Sequence, residues 1–203
     1  MKRLFDIVFS LTVLLLTAPV MLVMCVMIAR RMGRPVFFRQ KRPGLNGAIF
    51  EMIKFRTMTD ERGADGELLP DAERLTPLGR FLRSSSLDEF PEFLNVLRGE
   101  MSVVGPRPLL PRYLPRYSPE QARRHEVKPG VTGLAQVSGR NALTWDEKFR
   151  LDVRYVDTRS LLLDLKIVVL TVKKVFVREG ISAGDHATMT EFLGNTGDGK
   201  KPD

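Results

Sequence analysis

One cysteine and two histidines are all that the 203 residues offer to disulfide or soft-metal chemistry. Cys25 stands alone inside an apolar run, so there is no disulfide framework, and no Cys/His spacing matches a zinc site. A cytosolic setting for the polar part of the chain fits this. No internal repeat is present, so repeat architectures drop out. Tryptophan occurs once, and Trp145 reads as a packing or interface anchor rather than a base-stacking platform. His125, beside Arg124, reads as a hydrogen-bonded structural residue.

Charge, by contrast, is plentiful and of one dominant sign. The net charge is +8 with 28% charged residues, and the pI is about 9.9. Such a surface suits an anionic partner: nucleic acid, an acidic leaflet or a phosphorylated substrate. The length fits one domain with one core, and a mean hydropathy of −0.10 excludes a chain that is membrane-embedded throughout.

The exception is Leu4 to Ala29, an apolar run with Pro19 in its middle. About 20 apolar residues cross a hydrocarbon core, so a spanning helix is allowed by length. Spanning helices usually carry their Lys/Arg excess on one side. Here Lys2 and Arg3 precede the run, and Arg30, Arg31 and Arg34 follow it. Proline removes a helix donor and clashes with the carbonyl four residues back. The expectation is therefore a re-entrant membrane helix, helix-break-helix at Ala18 and Pro19, with Thr12 and Thr17 serving the freed backbone groups. Met27-Ile28-Ala29-Arg30-Arg31 does not look like a signal-peptide cleavage site, and a core helix is rarely apolar all round for so long. Residues 1–34 are expected to form the membrane hairpin with its basic flanks, 35–194 a domain on the cytosolic face, and 195–203 a disordered polar tail.

Within the domain, Pro35 to Gln40 and Ala48 to Met58 read as strands of a small β-hairpin around the turn Arg42 to Gly47. Asp60 to Asp71 reads as a polar loop. Helices are expected at Leu75 to Leu82, at Asp88 to Arg98 with Gly99 as terminator, after Ser118 with Ser as N-cap and Pro119 at N1, at Trp145 to Val156 and at Leu161 to Val177. Lys128 to Gly139 reads as a loop. The apolar helix Leu161 to Val177 carries Asp164, Lys166, Lys173 and Lys174, which disfavours a span and suits a core helix or an amphipathic helix in the membrane interface. The fold class is α+β, mainly helical.

The chemically informative stretch is Arg83-Ser84-Ser85-Ser86-Leu87-Asp88-Glu89-Phe90-Pro91. Ser86 to Glu89 fits a capping box, which would make both carboxylates merely stabilising. Pro91 argues against that register: at N5 it would lose a helix bond, whereas with Asp88 as cap it falls at N3, where none is lost. Asp88 at a helix start would stay ionised, near a phosphate held by Arg83. An ionised carboxylate there can be a nucleophile or a metal ligand. Lys54 and Arg56 alternate around Phe55 and are expected on one strand face. Arg107, between Pro106 and Pro108, is held on stiff backbone and suits a phosphate contact. Gly130 to Gly133 offers backbone N–H groups for close approach to a ligand, and Gly139-Arg140-Asn141 is a tight turn with a charged tip.

In order and combination these segments resemble the small monotopic phosphoglycosyl transferases of bacteria. The resemblance rests on Gln40 to Gly44, Lys54 to Met58, Ser86 to Glu89, Gly105 to Pro108, Val127 to Gly133 and Gln136 to Asn141, and runs from the Ala18-Pro19 region to near His186. It implies a transferase at the cytoplasmic face of the inner membrane. Asp88 and Glu89 would be catalytic, Asp88 holding Mg²⁺ and attacking a UDP-sugar. Lys54, Arg83, Arg107, Thr132, Gly133 and Arg140 would bind substrate. The acceptor would be undecaprenyl phosphate, with anionic lipids of the inner leaflet as further partners and no nucleic acid. The short chain and the end from Gly184 to Phe192 resemble the members that transfer diacetylbacillosamine phosphate, implying an N-acetylated amino sugar. Ala18 stands where the family often has Ser before the hairpin proline. A noncatalytic module binding anionic surfaces through its charge is the alternative from another class.

Overall fold

The computed structural model describes residues 1–139, 143–177 and 191–194. Arg140 and the tail 195–203 lie outside the described residues. Helix α1 (Lys2–Met32) leads into an antiparallel hairpin of β1 (Phe37–Pro43) and β2 (Ile49–Phe55), in register from Phe37 opposite Phe55 to Pro43 opposite Ile49. Short α2 (Asp71–Arg74), α3 (Pro77–Ser84) and α4 (Glu92–Arg98) follow, then β3 (Ser102–Val104), α5 (Pro119–Ala122), β4 (Gly130–Thr132), α6 (Leu134–Ser138), α7 (Trp145–Thr158) and α8 (Leu161–Val177). The fold is mainly helical α+β, as its class was read.

Pro19 does not break α1. The helix is one continuous piece of 31 residues, about 46 Å at 1.5 Å per residue. Thr17 Oγ1 donates to the Val13 carbonyl at 2.7 Å and Thr12 Oγ1 to that of Val8 at 2.9 Å. Neither serves the Leu15 carbonyl, the one a proline at 19 leaves without its partner. The physical reason for continuity is tertiary. A row at helical spacing, Asp6, Ser10, Val13, Thr17, Met21, Met24, Ile28 and Met32, is buried or half-buried along the whole helix. Its N-terminal half packs on the core of Met52, Phe93, Val103 and Tyr155, and its C-terminal half on Phe55, Leu78 and Leu82. Both ends are also tied polarly to the domain. Lys2 Nζ meets Asp164 Oδ2 at 2.6 Å, Asp6 Oδ1 accepts from Ser102 Oγ and the Val103 N–H, and Arg56 donates to the Met32 carbonyl at 3.2 Å. The opposite face is apolar and open, with Leu4, Val8, Leu11, Leu15 and Leu22 exposed. One loss of a helix bond is small against so much packing. Among the described residues α1 is the one helix long and apolar enough to cross a membrane. Lying flat with one face on the domain, it is consistent with monotopic association.

Local chemistry accounts for most other boundaries. Ser118 and Gln121 form a capping box at α5, and Thr144 and Glu147 form one at α7. Gly99 ends α4 at φ 85°. The stretch read as a loop from Lys128 to Gly139 instead holds β4 and α6. β4 pairs in parallel with β3, Ser102 opposite Gly130 and Val104 opposite Thr132. That pairing needs backbones without side chains between them. A Cβ on Gly105 would fall 2.4 Å from the Lys128 carbonyl oxygen, and one on Gly133 2.2 Å from that of Gly105.

Candidate active site

β2 ends at Phe55, so Lys54 and Arg56 part company rather than sharing a face. Arg56 turns to the carbonyls of Met32 and Met58 and to Asp60. Lys54 turns inward, its ammonium 2.8 Å from Glu89 Oε1 and 3.1 Å from Glu92 Oε1. Between them comes a single 3-10 turn, Leu87–Glu89, entered through Ser86 at φ 57°. Ser86 makes no side-chain cap bond, and α4 begins only at Glu92, behind Pro91. Neither capping register formed. Asp88 therefore stands ahead of the helix, and its surroundings come from side chains rather than from a helix end.

Arg107 completes the group. It extends from the Pro-flanked segment after β3 and donates to Glu89 Oε1 at 2.5 Å. Glu89 thus has two cations on one oxygen. Burial alone would raise its carboxyl, but Arg107 and Lys54 hold it well below the usual carboxylate range. Asp88 is different. It is 8% exposed and takes no hydrogen bond or ion pair among the described residues. Burial, then the charge of Glu89, push its carboxyl up to about 6 against the pull of Lys54, Arg107 and Arg83. Arg83 is placed by Gly79, whose missing Cβ would lie 1.8 Å from the Thr57 carbonyl oxygen. That contact lets α3 lie on the strand's continuation, where Arg83 Nε donates to Thr57 Oγ1 at 3.1 Å.

Glu92 is the member that the sequence reading missed. It is 2% exposed, and its Oε1 takes no well-directed hydrogen bond despite the nearby ammonium. Burial pushes its carboxyl up to about 7. Its signal was present: it sits four residues after Asp88 and three after Glu89, spacings that return to the same side of a helix. Burial would lower the Lys54 ammonium, but Glu89 and Glu92 outweigh it and raise it.

The other expected substrate ligands fall elsewhere. Thr132 is buried, its hydroxyl 2.7 Å from that of Thr171, and Gly133 packs on the Gly105 backbone. Both stand behind the segment carrying Arg107. His125 has the structural role expected of it: Nδ1 lies 3.3 Å from the Gly44 carbonyl oxygen. Trp145 packs in an aromatic cluster with Tyr113, Phe149 and Phe192. No group of three or more His, Cys, Asp or Glu gathers to hold a metal among the described residues. Mg²⁺ does not require one, since it is commonly held by one or two carboxylates together with substrate phosphates and water. Asp88, a hard and unpartnered carboxylate beside cations suited to phosphate, fits that donor set.

A carboxylate pair so divided, one member locked and the other free, among Lys and Arg side chains suits transfer of a phosphorylated group. The profile of bacterial sugar transferases matches residues 1–178. The chain belongs to the bacterial sugar transferase family. It is an enzyme of the sugar-1-phosphate transferase type, which removes the noncatalytic module as a reading. It is 55% identical over 195 residues to the uncharacterized sugar transferase EpsL of Bacillus subtilis, covering 96% of each chain. It is 41% identical to the UDP-glucose:undecaprenyl-phosphate glucose-1-phosphate transferase of Klebsiella pneumoniae, over 88% of this chain and 40% of that one. The galactosyl transferase CpsE of Streptococcus agalactiae is 40% identical, over 88% of this chain and 43% of its own length. This sugar transferase thus matches EpsL nearly end to end but spans less than half of the other two relatives.

Proposed function

We propose that this sugar transferase moves a sugar 1-phosphate from a UDP-sugar to undecaprenyl phosphate, through a covalent intermediate on Asp88. The observation that carries the division of labour is that Glu89 is held by two cations while Asp88 has no partner. An Asp88 oxygen attacks the sugar-linked phosphorus of the donor. The bond from that phosphorus to the bridging diphosphate oxygen breaks, and UMP leaves with the electron pair. A phosphosugar–aspartyl anhydride remains. An oxygen of the lipid phosphate then attacks the same phosphorus, forming the lipid-linked diphosphate and releasing the Asp88 carboxylate. One site serves both substrates in turn.

Glu89 orients Lys54 and Arg107, which with Arg83 receive the phosphate charge. Asp88 would hold Mg²⁺, which when bound neutralises charge on the donor diphosphate. The open face of α1, and the exposed Leu162, Leu165, Val169 and Val172 of α8, lie against the cytoplasmic leaflet of the inner membrane, with Lys166 and Lys173 toward anionic headgroups. Residues 1–34 then act as the membrane segment and 35–194 as the catalytic body, although α1 shares both cores. The resemblance implied an N-acetylated amino sugar. The names of relatives give galactose or glucose instead, so the donor is a UDP-sugar of unassigned sugar.

The test is UMP release by the full chain in detergent, with undecaprenyl phosphate and a panel of UDP-glucose, UDP-galactose and UDP-linked N-acetylated amino sugars. Turnover with at least one donor is expected, lost with EDTA and restored by Mg²⁺. No UMP from any donor would overturn the reading.

A further inference from the structure

Arg124 and Asp152 form an ion pair that the proposed reaction does not use. Each is 3% exposed. Arg124 Nε and Nη2 both donate to Asp152 Oδ2, at 3.1 and 2.7 Å. The guanidinium lies 5.7 Å from the ring centres of Tyr117 and Phe149. A buried ion pair adds little net stability against apolar groups of the same volume, so stability alone is a weak reason for this one. Arg124 Nη2 makes a further bond, to the carbonyl oxygen of Arg107 at 2.7 Å.

That bond matters because of where it falls. The segment from Gly105 to Arg107 is gripped by main chain at its start: Gly105 N–H donates to the Thr132 carbonyl at 2.9 Å and Gly130 N–H to that of Pro106 at 3.0 Å. Beyond Pro106 the grip passes to side chains: Arg124 at the Arg107 carbonyl and, at a longer 3.4 Å, Arg42 at that of Pro108. The Arg107 side chain is 44% exposed on its way to Glu89, so its reach is governed by where its main chain is fixed. A misplacement of about 1 Å far from the chemistry can lower a rate by about a hundredfold.

We propose that Arg124, held by Asp152, is a positioning residue for catalysis: it fixes the main chain from which Arg107 reaches Glu89 and the donor phosphate. This rests on the reading of Arg107 as a phosphate contact.

A double-mutant cycle on the full chain tests it. The pair is replaced together, Arg124→Met with Asp152→Leu, which removes both charges and the bond to Arg107. It is measured alone and combined with Arg107→Ala, reading kcat and KM for UMP release with the donor that turns over. The paired replacement is expected to keep its thermal transition and to lose about tenfold to a hundredfold in kcat/KM. Added to Arg107→Ala it should cost nothing further, because it acts only through Arg107. If the paired replacement fails to fold, Arg124→Lys, which keeps the charge beside Asp152, takes its place in the same cycle with the same expectation. Wild-type kcat/KM in a folded positioning variant, or losses that multiply with Arg107→Ala, would overturn the positioning role alone. An Arg107→Ala enzyme with undiminished kcat/KM would overturn the reading of Arg107 and this proposal with it.

Discussion

Two buried charge clusters lie near one another in this sugar transferase, one on each side of Arg107, and they are built on different arithmetic. Arg124 and Asp152 balance one to one. Burial pushes the Asp152 carboxyl up while Arg124 pulls it back, and the donors of the guanidinium are spent on Asp152, Arg107 and Tyr117. On the other side, Asp88, Glu89 and Glu92 share Lys54 and Arg107, with Arg83 farther off. Glu89 takes both close cations on one oxygen, Asp88 has none, and Glu92 Oε1 lies 3.1 Å from the Lys54 ammonium without a well-directed hydrogen bond. A satisfied pair holds architecture in place. An unsatisfied cluster keeps ligand capacity in reserve, and a phosphate or a cation would relieve it. The contrast supports placing the proposed chemistry at the unsatisfied cluster.

The contrast predicts opposite signs for two isosteric changes. The larger effect belongs to the closed pair. Asp152→Asn leaves a buried guanidinium without its counter-charge, which typically costs about 3–5 kcal/mol. The thermal midpoint should fall by roughly ten degrees; an unchanged midpoint would mean that water already reaches the pair. Next comes Arg107→Ala. Losing a charge-assisted hydrogen bond is worth about 1.5–3 kcal/mol, so kcat/KM for the donor should drop by roughly tenfold to more than a hundredfold, with the fold retained. Equal kcat/KM at subsaturating donor would remove Arg107 from the site.

The smallest effect is a gain. Glu92 has its carboxyl raised from 4.5 to about 7 in the fold. Between those values the folded state binds more protons than the unfolded one, so stability falls as pH rises through that window and is level above it. Glu92→Gln, which mimics the neutral form, should therefore melt with the wild type near pH 4 and a few degrees above it at pH 8. A lower midpoint at pH 8 would show that the Lys54 pair outweighs burial, and the two clusters would then be alike.

What was legible in the sequence was local. The hairpin, the Ser118 cap, Gly99 as terminator and the bounds of α8 all follow from neighbours within a few residues. The parallel β3–β4 pair was not legible, because Gly130 to Gly133 carries the signature of a loop until Gly105 is known to lie against it. Pro19 was given its usual weight as a helix breaker, yet a row of contacts from Asp6 to Met32 outweighs one missing donor. Both ends of α1 are fastened to one domain, Lys2 to Asp164 and the Met32 carbonyl to Arg56. At the candidate site, the structure gathers the Asp88-Glu89 pair, Arg83 and Arg107, which residue type and proline context single out in the sequence. Lys54 joins this group not through a strand face shared with Arg56, since β2 ends at Phe55, but by turning inward to Glu89 and Glu92. Thr132 and Gly133 read as backbone open to a ligand, but the Thr132 carbonyl accepts from the Gly105 N–H, Gly133 packs on the Gly105 backbone, and the Thr132 hydroxyl meets that of Thr171.

The central claim is that Asp88 is the attacking group. Mass spectrometry of the enzyme mixed with the donor it turns over, in the absence of lipid acceptor, tests it most directly. A phosphosugar mass on the peptide carrying Asp88 is expected, discharged on adding undecaprenyl phosphate and absent from a folded Asp88→Asn enzyme that no longer turns over. An adduct on another residue, or steady turnover by Asp88→Asn, would contradict the account.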